Sequence, residues 1–324
     1  MAHRRRHELG KPALSIPVAP MHSDRPRMGR ERRSVTRATV GNTGVATTVR
    51  EFMMPLRRFV FLASILGLLV TAPSAPAAPS LPRSIAGIGD SITRAADVCC
   101  WYGDHPANSW STGGGAFDGI RSHYERIRAL KPTIEGHNYN DARSGAKMRD
   151  AEGQAQAALA QGARYVTIEM GANDVCTGSK STMTSVDDFR TQFSATMNVL
   201  ASGLPSGAHV FVGSIPNIYR LWQTLHNNAT AELVWAVAGI CQSMLSLSNS
   251  EADRQAVLAR EQQLNQVLAD VCSQYAFCRF DDYAVFNYQF SASQVSKLDY
   301  FHPSLAGQSA LASVTWQHSW WPTL

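Results

Sequence analysis

A serine hydroxyl is a weak nucleophile until a neighbouring base takes its proton. Ser91 stands where such activation would be useful. It closes Gly89-Asp90-Ser91, directly after the apolar run Ser84-Ile85-Ala86-Gly87-Ile88, which suits a short buried strand. Residues 92–96 could begin a helix. The hydroxyl would then lie between the carboxyl end of a strand and the amino end of a helix. Open α/β sheets collect ligands there, and free backbone N–H groups there meet negative charge. Far along the chain, Asp299 and His302 stand at i and i+3, on one side of a turn. Asp299 can accept from one ring nitrogen of His302 and fix its tautomer, which leaves the other nitrogen as a base for Ser91. Pro303 holds His302 out of helical geometry and suits the first position of a following helix.

Acyl transfer through a serine also needs donors for an oxyanion. The Ser91 N–H, the Gly145 N–H and the Asn173 side-chain amide could supply three. Glycine lets backbone approach a ligand closely, and an amide donates without titrating. Losing one such donor typically costs about 3 kcal/mol. Each residue also has a plainer use: Ser91 as a helix cap, Gly145 as turn geometry alone, Asn173 as a turn cap, Asp299 with His302 as metal ligands. Two competing motifs fail outright. Gly87-x-Gly89 lacks the third glycine of a dinucleotide turn, since position 92 is Ile. Thr93 stands where the nucleophile elbow needs glycine. Asp90 and Asp174 read as structural, the former bonding N–H groups of its own turn. His105, His123, His137, His209 and His226 have no evident partner. The tryptophans of the first long loop could be core or a substrate wall.

These residues need a scaffold. Apolar runs of strand length begin at Ser84, Thr133, Tyr165, His209 and Arg279. Helical patterns lie between them, over 122–130, 146–161, 186–200, 229–247 and 251–274, with a last one over 304–318. Ser185 followed by Asp188 resembles a capping box. Alternation of strand and helix argues for a central, mostly parallel five-stranded sheet with helices on both faces, a three-layer α/β/α sandwich. Ser91, Gly145 and Asn173 follow three successive strands, so their turns share one sheet edge.

The 324 residues do not all belong to that scaffold. Met54 to Arg58 is a basic start, 59–70 an apolar run, and Ala75-Pro76-Ala77 a small-residue cleavage site. Residues 54–77 therefore read as a secretory signal; the run is short against the ~20 residues of a membrane span. Residues 1–53 read as a basic upstream extension, with the true start at Met53 or Met54, the alternative being a nucleic-acid-binding arm. Residues 1–77 hold 13 Lys/Arg and 4 Asp/Glu, so a net +5 for the chain leaves −4 beyond Ala77. Basicity thus gives no reason to invoke nucleic acid as a partner. From Ala78 on, 247 residues suffice for one α/β domain. All six cysteines fall there, which in an exported chain favours disulfides. Cys272 with Cys278 is the first expected pair and Cys176 with Cys241 the second. Adjacent Cys99 and Cys100 would need an uncommon eight-membered ring or a different arrangement. The spacings fit no usual zinc pattern.

Taken together, Gly89-Asp90-Ser91, Gly145, Gly171-Ala172-Asn173-Asp174 and Asp299-Tyr300-Phe301-His302 resemble, in order, the four blocks of the SGNH/GDSL hydrolases. The resemblance spans about residues 84 to 318. Trp110-Ser111-Thr112-Gly113 and Asn173-Asp174-Val175-Cys176 are similar to the phospholipase B-like branch and its secreted bacterial relatives. The resemblance implies Ser91 as nucleophile, His302 as base, Asp299 as its partner, and Ser91, Gly145 and Asn173 as the oxyanion hole. It implies small-molecule or lipid ester substrates and no metal or organic cofactor. The expectation is a secreted monomeric esterase or lipase, with a carbohydrate acetyl esterase as the alternative and a non-catalytic binding module on the same fold as the alternative of another class.

Overall fold

Five short strands pair in the order β2-β1-β3-β4-β5, every pair parallel. They are β1 Ile85–Gly89, β2 Asn138–Asn140, β3 Tyr165–Glu169, β4 His209–Gly213 and β5 Cys278–Phe280. The computed structural model describes residues 79–324; the basic extension and the signal segment lie outside them. Parallel strands covered on both faces read as continuous apolar runs, and every residue of β1 and β3 is buried. The edge strands β2 and β5 have three residues each and are only partly buried.

Ten helices connect or cover the strands among the described residues: α1 His123–Leu130, α2 Ala151–Ala160, α3 Ala172–Val175, α4 Val186–Gly203, α5 Ile218–Leu225, α6 Ala229–Ala238, α7 Gln242–Leu245, α8 Glu251–Cys272, α9 Ala284–Asn287 and α10 Leu305–Gln317. The chain first moves outward from β1 to β2, then crosses back to β3 and continues through β4 to β5. Right-handed crossovers then place α1 on one face and α2, α4 and α8 on the other. His123 of α1 bonds Thr315 of α10 and Tyr165 of β3, both at 2.9 Å, so α10 shares the α1 face. The strand order reverses between β1 and β3, and ligands in such sheets bind at the carboxyl ends where it does. The far end of the domain is tied to its start by the Trp321 indole N–H, which donates to the Pro79 carbonyl at 2.6 Å.

Several expected boundaries move. Residues 92–96 form a tight turn rather than a helix, because Ala95 and Asp97 both take left-handed backbone with φ 52°. The second strand shrinks to Asn138–Asn140 behind a 3₁₀ turn at Pro132–Ile134. The helix expected over 146–161 starts as 3₁₀ and becomes α only at Ala151. The pattern over 229–247 breaks at left-handed Gly239. Helix α5 was not expected, although Asn217 caps it by accepting from the Arg220 N–H at 2.8 Å. Ser185 does cap α4, by accepting from the Asp188 N–H. Cys176–Cys241 and Cys272–Cys278 are at bonding distance, 2.00 and 2.04 Å.

Candidate active site

The turn carrying Ser91 is clamped from below. Gln154 of α2 accepts from the Gly89 N–H at 2.8 Å and donates to the Gly89 carbonyl at 3.0 Å. No side chain fits at Gly89: a Cβ there would lie 2.6 Å from the Glu169 carbonyl oxygen and press on Thr93. Asp90 is fully buried and accepts from the Ile92 N–H at 2.9 Å, the turn-holding contact its type allows. Burial pushes its carboxyl up to about 6. Gln308 of α10 donates to the Ile92 carbonyl at 2.8 Å and accepts from the Trp110 N–H at 2.9 Å. The last helix thus braces the turn after the first strand.

Across the cleft, Asp299 and His302 share a loop held by a bridge between Val295 and Pro303 and by the Ser296 N–H, which donates to the His302 carbonyl at 2.8 Å. Asp299 Oδ1 accepts from the Phe301 and His302 N–H groups at 2.9 and 3.1 Å. Asp299 Oδ2 bonds His302 Nδ1, and His302 Nε2 lies 2.7 Å from Ser91 Oγ. Residues 211 positions apart therefore converge. Burial disfavours the imidazolium, but the hydrogen bond and charge of Asp299, with Asp97 and Asp90 behind, raise the His302 pKa above its ordinary value. Burial also works on Asp299, and there the bonds from His302 and Phe301 outweigh it and lower its pKa. A shared proton path from Ser91 to His302 is what such an arrangement can provide.

The three expected oxyanion donors sit on the same edge. Among the described residues, neither the Ser91 nor the Gly145 N–H donates to a protein acceptor. Gly145 is exposed with φ 79°, a conformation that favours glycine. The Asn173 amide donates to the Ala146 carbonyl at 3.0 Å, while its other neighbour, Asp90 Oδ2, is at a long 3.4 Å. Asp174 accepts from the Met148 N–H and from Thr184 Oγ1 at 3.0 and 2.6 Å, which fixes the Asn173 turn to the Gly145 turn.

Beside Gln154 and Gln308, an acidic residue of the site carries no sequence signal. Asp97 Oδ2 lies 3.8 Å from His302 Nδ1. Nothing in its spacing marks it; only the left-handed turn after Ser91 brings it round. Asp97, Asp299 and His302 offer ligand atoms within 4.8 Å of one another, but Asp299 Oδ1 is already occupied by two N–H groups. Beside the pair, an apolar cleft of about 60 Å³ is lined by Ile92, Ala172, Leu221, Phe290, Phe301 and Pro303. Ile92, Ala172, Phe301 and Pro303 flank Ser91, Asn173 and His302 in sequence, and Leu221 comes from α5. Trp110 is wholly core, whereas Trp101 is 67% exposed. His123 is buried and bonded on both ring nitrogens, and burial lowers its pKa to about 3. Cys99 and Cys100 are unbonded, their sulfurs 2.8 Å apart.

The fold is α/β, and the family matched by the chain is one of ester-bond hydrolases. Residues 85–314 match the family described as GDSL-like Lipase/Acylhydrolase, and the chain belongs to it. No curated protein matches the chain. Similar solved structures include an α/β hydrolase from the metagenome of Lake Arreo, Spain, 18% identical over 72% of this chain and 94% of that one, TM-score 0.47. An acetyl xylan esterase from Geobacillus stearothermophilus is 16% identical over 72% and 93%, TM-score 0.43. An extracellular lipase from Streptomyces rimosus is 17% identical over 73% and 99%, TM-score 0.42.

Proposed function

We propose that the chain is a secreted, monomeric serine esterase for carboxylic esters with short to medium acyl chains. The contact between Ser91 Oγ and His302 Nε2 at 2.7 Å carries this reading. Ser91 Oγ attacks the ester carbonyl carbon as His302 Nε2 takes its proton. Asp299 stabilises the imidazolium and holds its tautomer. The Ser91 and Gly145 N–H groups and the Asn173 amide receive the oxyanion. Collapse expels the alcohol, protonated by His302, and leaves the acyl group on Ser91. Water then repeats the sequence and releases the acid.

The apolar cleft favours acyl recognition over a polysaccharide surface. A small apolar cleft of about 60 Å³ suits a short acyl group better than a long one. Hydrolysis of p-nitrophenyl butyrate and hexanoate should exceed that of the palmitate and that of acetylated xylan. Preference for xylan acetate would favour the carbohydrate alternative. Ser91→Ala should abolish turnover and fluorophosphonate labelling with the fold intact by circular dichroism; a variant as active as the parent ends the proposal. Export rests on the 54–77 leader pattern and on the two joined cysteine pairs, which persist in oxidising surroundings.

A further inference from the structure

Four of the six cysteines are joined, and the remaining two are neighbours whose sulfurs stand 2.8 Å apart. Cys100 is exposed in left-handed backbone, φ 67°, and Cys99 is half-buried. Their loop is tied at its neck. The Asp97 N–H donates to the Gly103 carbonyl at 2.8 Å, and the Gly103 N–H to Asp97 Oδ1 at 2.6 Å. Ser296 Oγ donates to the Asp97 carbonyl, and Tyr102 OH to the Leu298 carbonyl at 2.9 Å. These same ties hold the Asp97 carboxylate 3.8 Å from His302 Nδ1. We propose that Cys99 and Cys100 form a thiol–disulfide exchange site that closes to a bond between adjacent residues after export, and whose state sets the position of Asp97 beside His302.

The step balances with a small disulfide as oxidant. The Cys100 thiolate attacks one sulfur of the external disulfide and expels one small thiol. Cys99 loses its proton, attacks the Cys100 sulfur and expels the second. Two protein thiols are oxidised and one external disulfide is reduced. Burial and the neighbouring thiol push Cys99 up to about 11, so the exposed Cys100 is the entry point and ring closure is the slower step. Adjacent Cα atoms are about 3.8 Å apart, below the usual disulfide span of about 4.4–6.8 Å, so thiols reopen such a bond readily. His302, whose acidity reports the loop, faces Asp299, Asp97 and Asp90.

The exported full-length protein, denatured in iodoacetamide without reductant and digested, should yield a Cys99–Cys100 peptide that is unalkylated and two hydrogens lighter. Brief dithiothreitol that spares the other two bridges should make it doubly alkylated, and glutathione disulfide should restore it. A doubly alkylated peptide from untreated protein, unchanged by glutathione disulfide, overturns the exchange site. So does a stable glutathione adduct on Cys100 with Cys99 alkylated. The coupling rests on the reading of His302 as base. The unbonded form is the one that holds Asp97 beside His302, so selective reduction should move the acid limb of kcat/KM to higher pH by roughly a few tenths of a unit, and Cys100→Ser should remove that dependence on reductant. Identical profiles for both forms overturn the coupling. The peptide masses are measured without turnover, so loss of the serine assignment would leave the thiol result standing.

Discussion

In the proposed mechanism His302 must be neutral to take the Ser91 proton, and its carboxylate neighbours favour the charged form. The rate should therefore rise with pH through a value above that of an ordinary histidine. Asp97→Asn removes a negative charge 3.8 Å from Nδ1. The imidazolium is then less favoured, its pKa falls, and the acid limb of kcat/KM should move to lower pH. A limb that stays in place would show that Asp97 only shapes its turn. Asp299→Asn loses both the tautomer lock and the counter-charge, so kcat should drop by roughly 10⁴-fold, measured by stopped assay with the same esters.

At the scale of elements, the Cys176–Cys241 bridge ties the turn that carries Asn173 to the start of α7, across a separation of 65 residues. Chain-entropy scaling assigns it about 4 kcal/mol, against about 2 kcal/mol for Cys272–Cys278 with its separation of 6. Paired replacement of the first by alanine should lower the urea midpoint more than replacement of the second, and should also slow turnover because α3 loosens. Helix α5 has a different task. Leu221→Trp should fill the cleft and shift preference from hexanoate toward acetate, without a matching loss of stability. How far such elements were legible follows from where their information lies. The buried strands announce themselves as apolar runs, and Ser91, Gly145 and Asn173 stand out jointly, because each follows one of three successive strands and all share one sheet edge. The left-handed turns at Ala95 and Asp97 go with hydrogen bonds that tie Asp97 to Gly103, six residues on, in place of the helix expected there, and Asp97 stayed hidden. Helix α5 is different: Ile218, Leu221, Trp222 and Leu225 have helical spacing behind a capping Asn217, so its signal is present in the sequence, although short. Gln154 and Gln308 could not be found at all, since an amide that clamps a distant backbone leaves no trace in its own neighbourhood.

For the whole molecule, the layer between β3 and helices α1 and α10 sets a limit on acid tolerance. His123 is neutral in the fold, with its pKa lowered to about 3 by burial, whereas an unfolded histidine titrates near ~6.5. Between those values the unfolded chain binds the proton that the folded one refuses, so this residue's contribution falls as pH drops below about 6.5. The full effect is on the order of 5 kcal/mol. The stability gap between the parent and His123→Asn should accordingly shrink between pH 7 and pH 4.5 in thermal melts; a constant gap would contradict the buried neutral assignment.

The indole-to-carbonyl tie between Trp321 and Pro79 has a practical corollary. A domain in which the turns at Pro79 and Trp321 touch can be reconnected as a ring and reopened elsewhere. A permutant joining Leu324 to Pro79 through a few glycines, with new ends cut at the exposed stretch around Gly178 to Ser181, should still assemble the serine and the imidazole. They would then lie in swapped order along the gene, which would show that the catalytic geometry belongs to the sheet edge and not to the direction in which the chain is read.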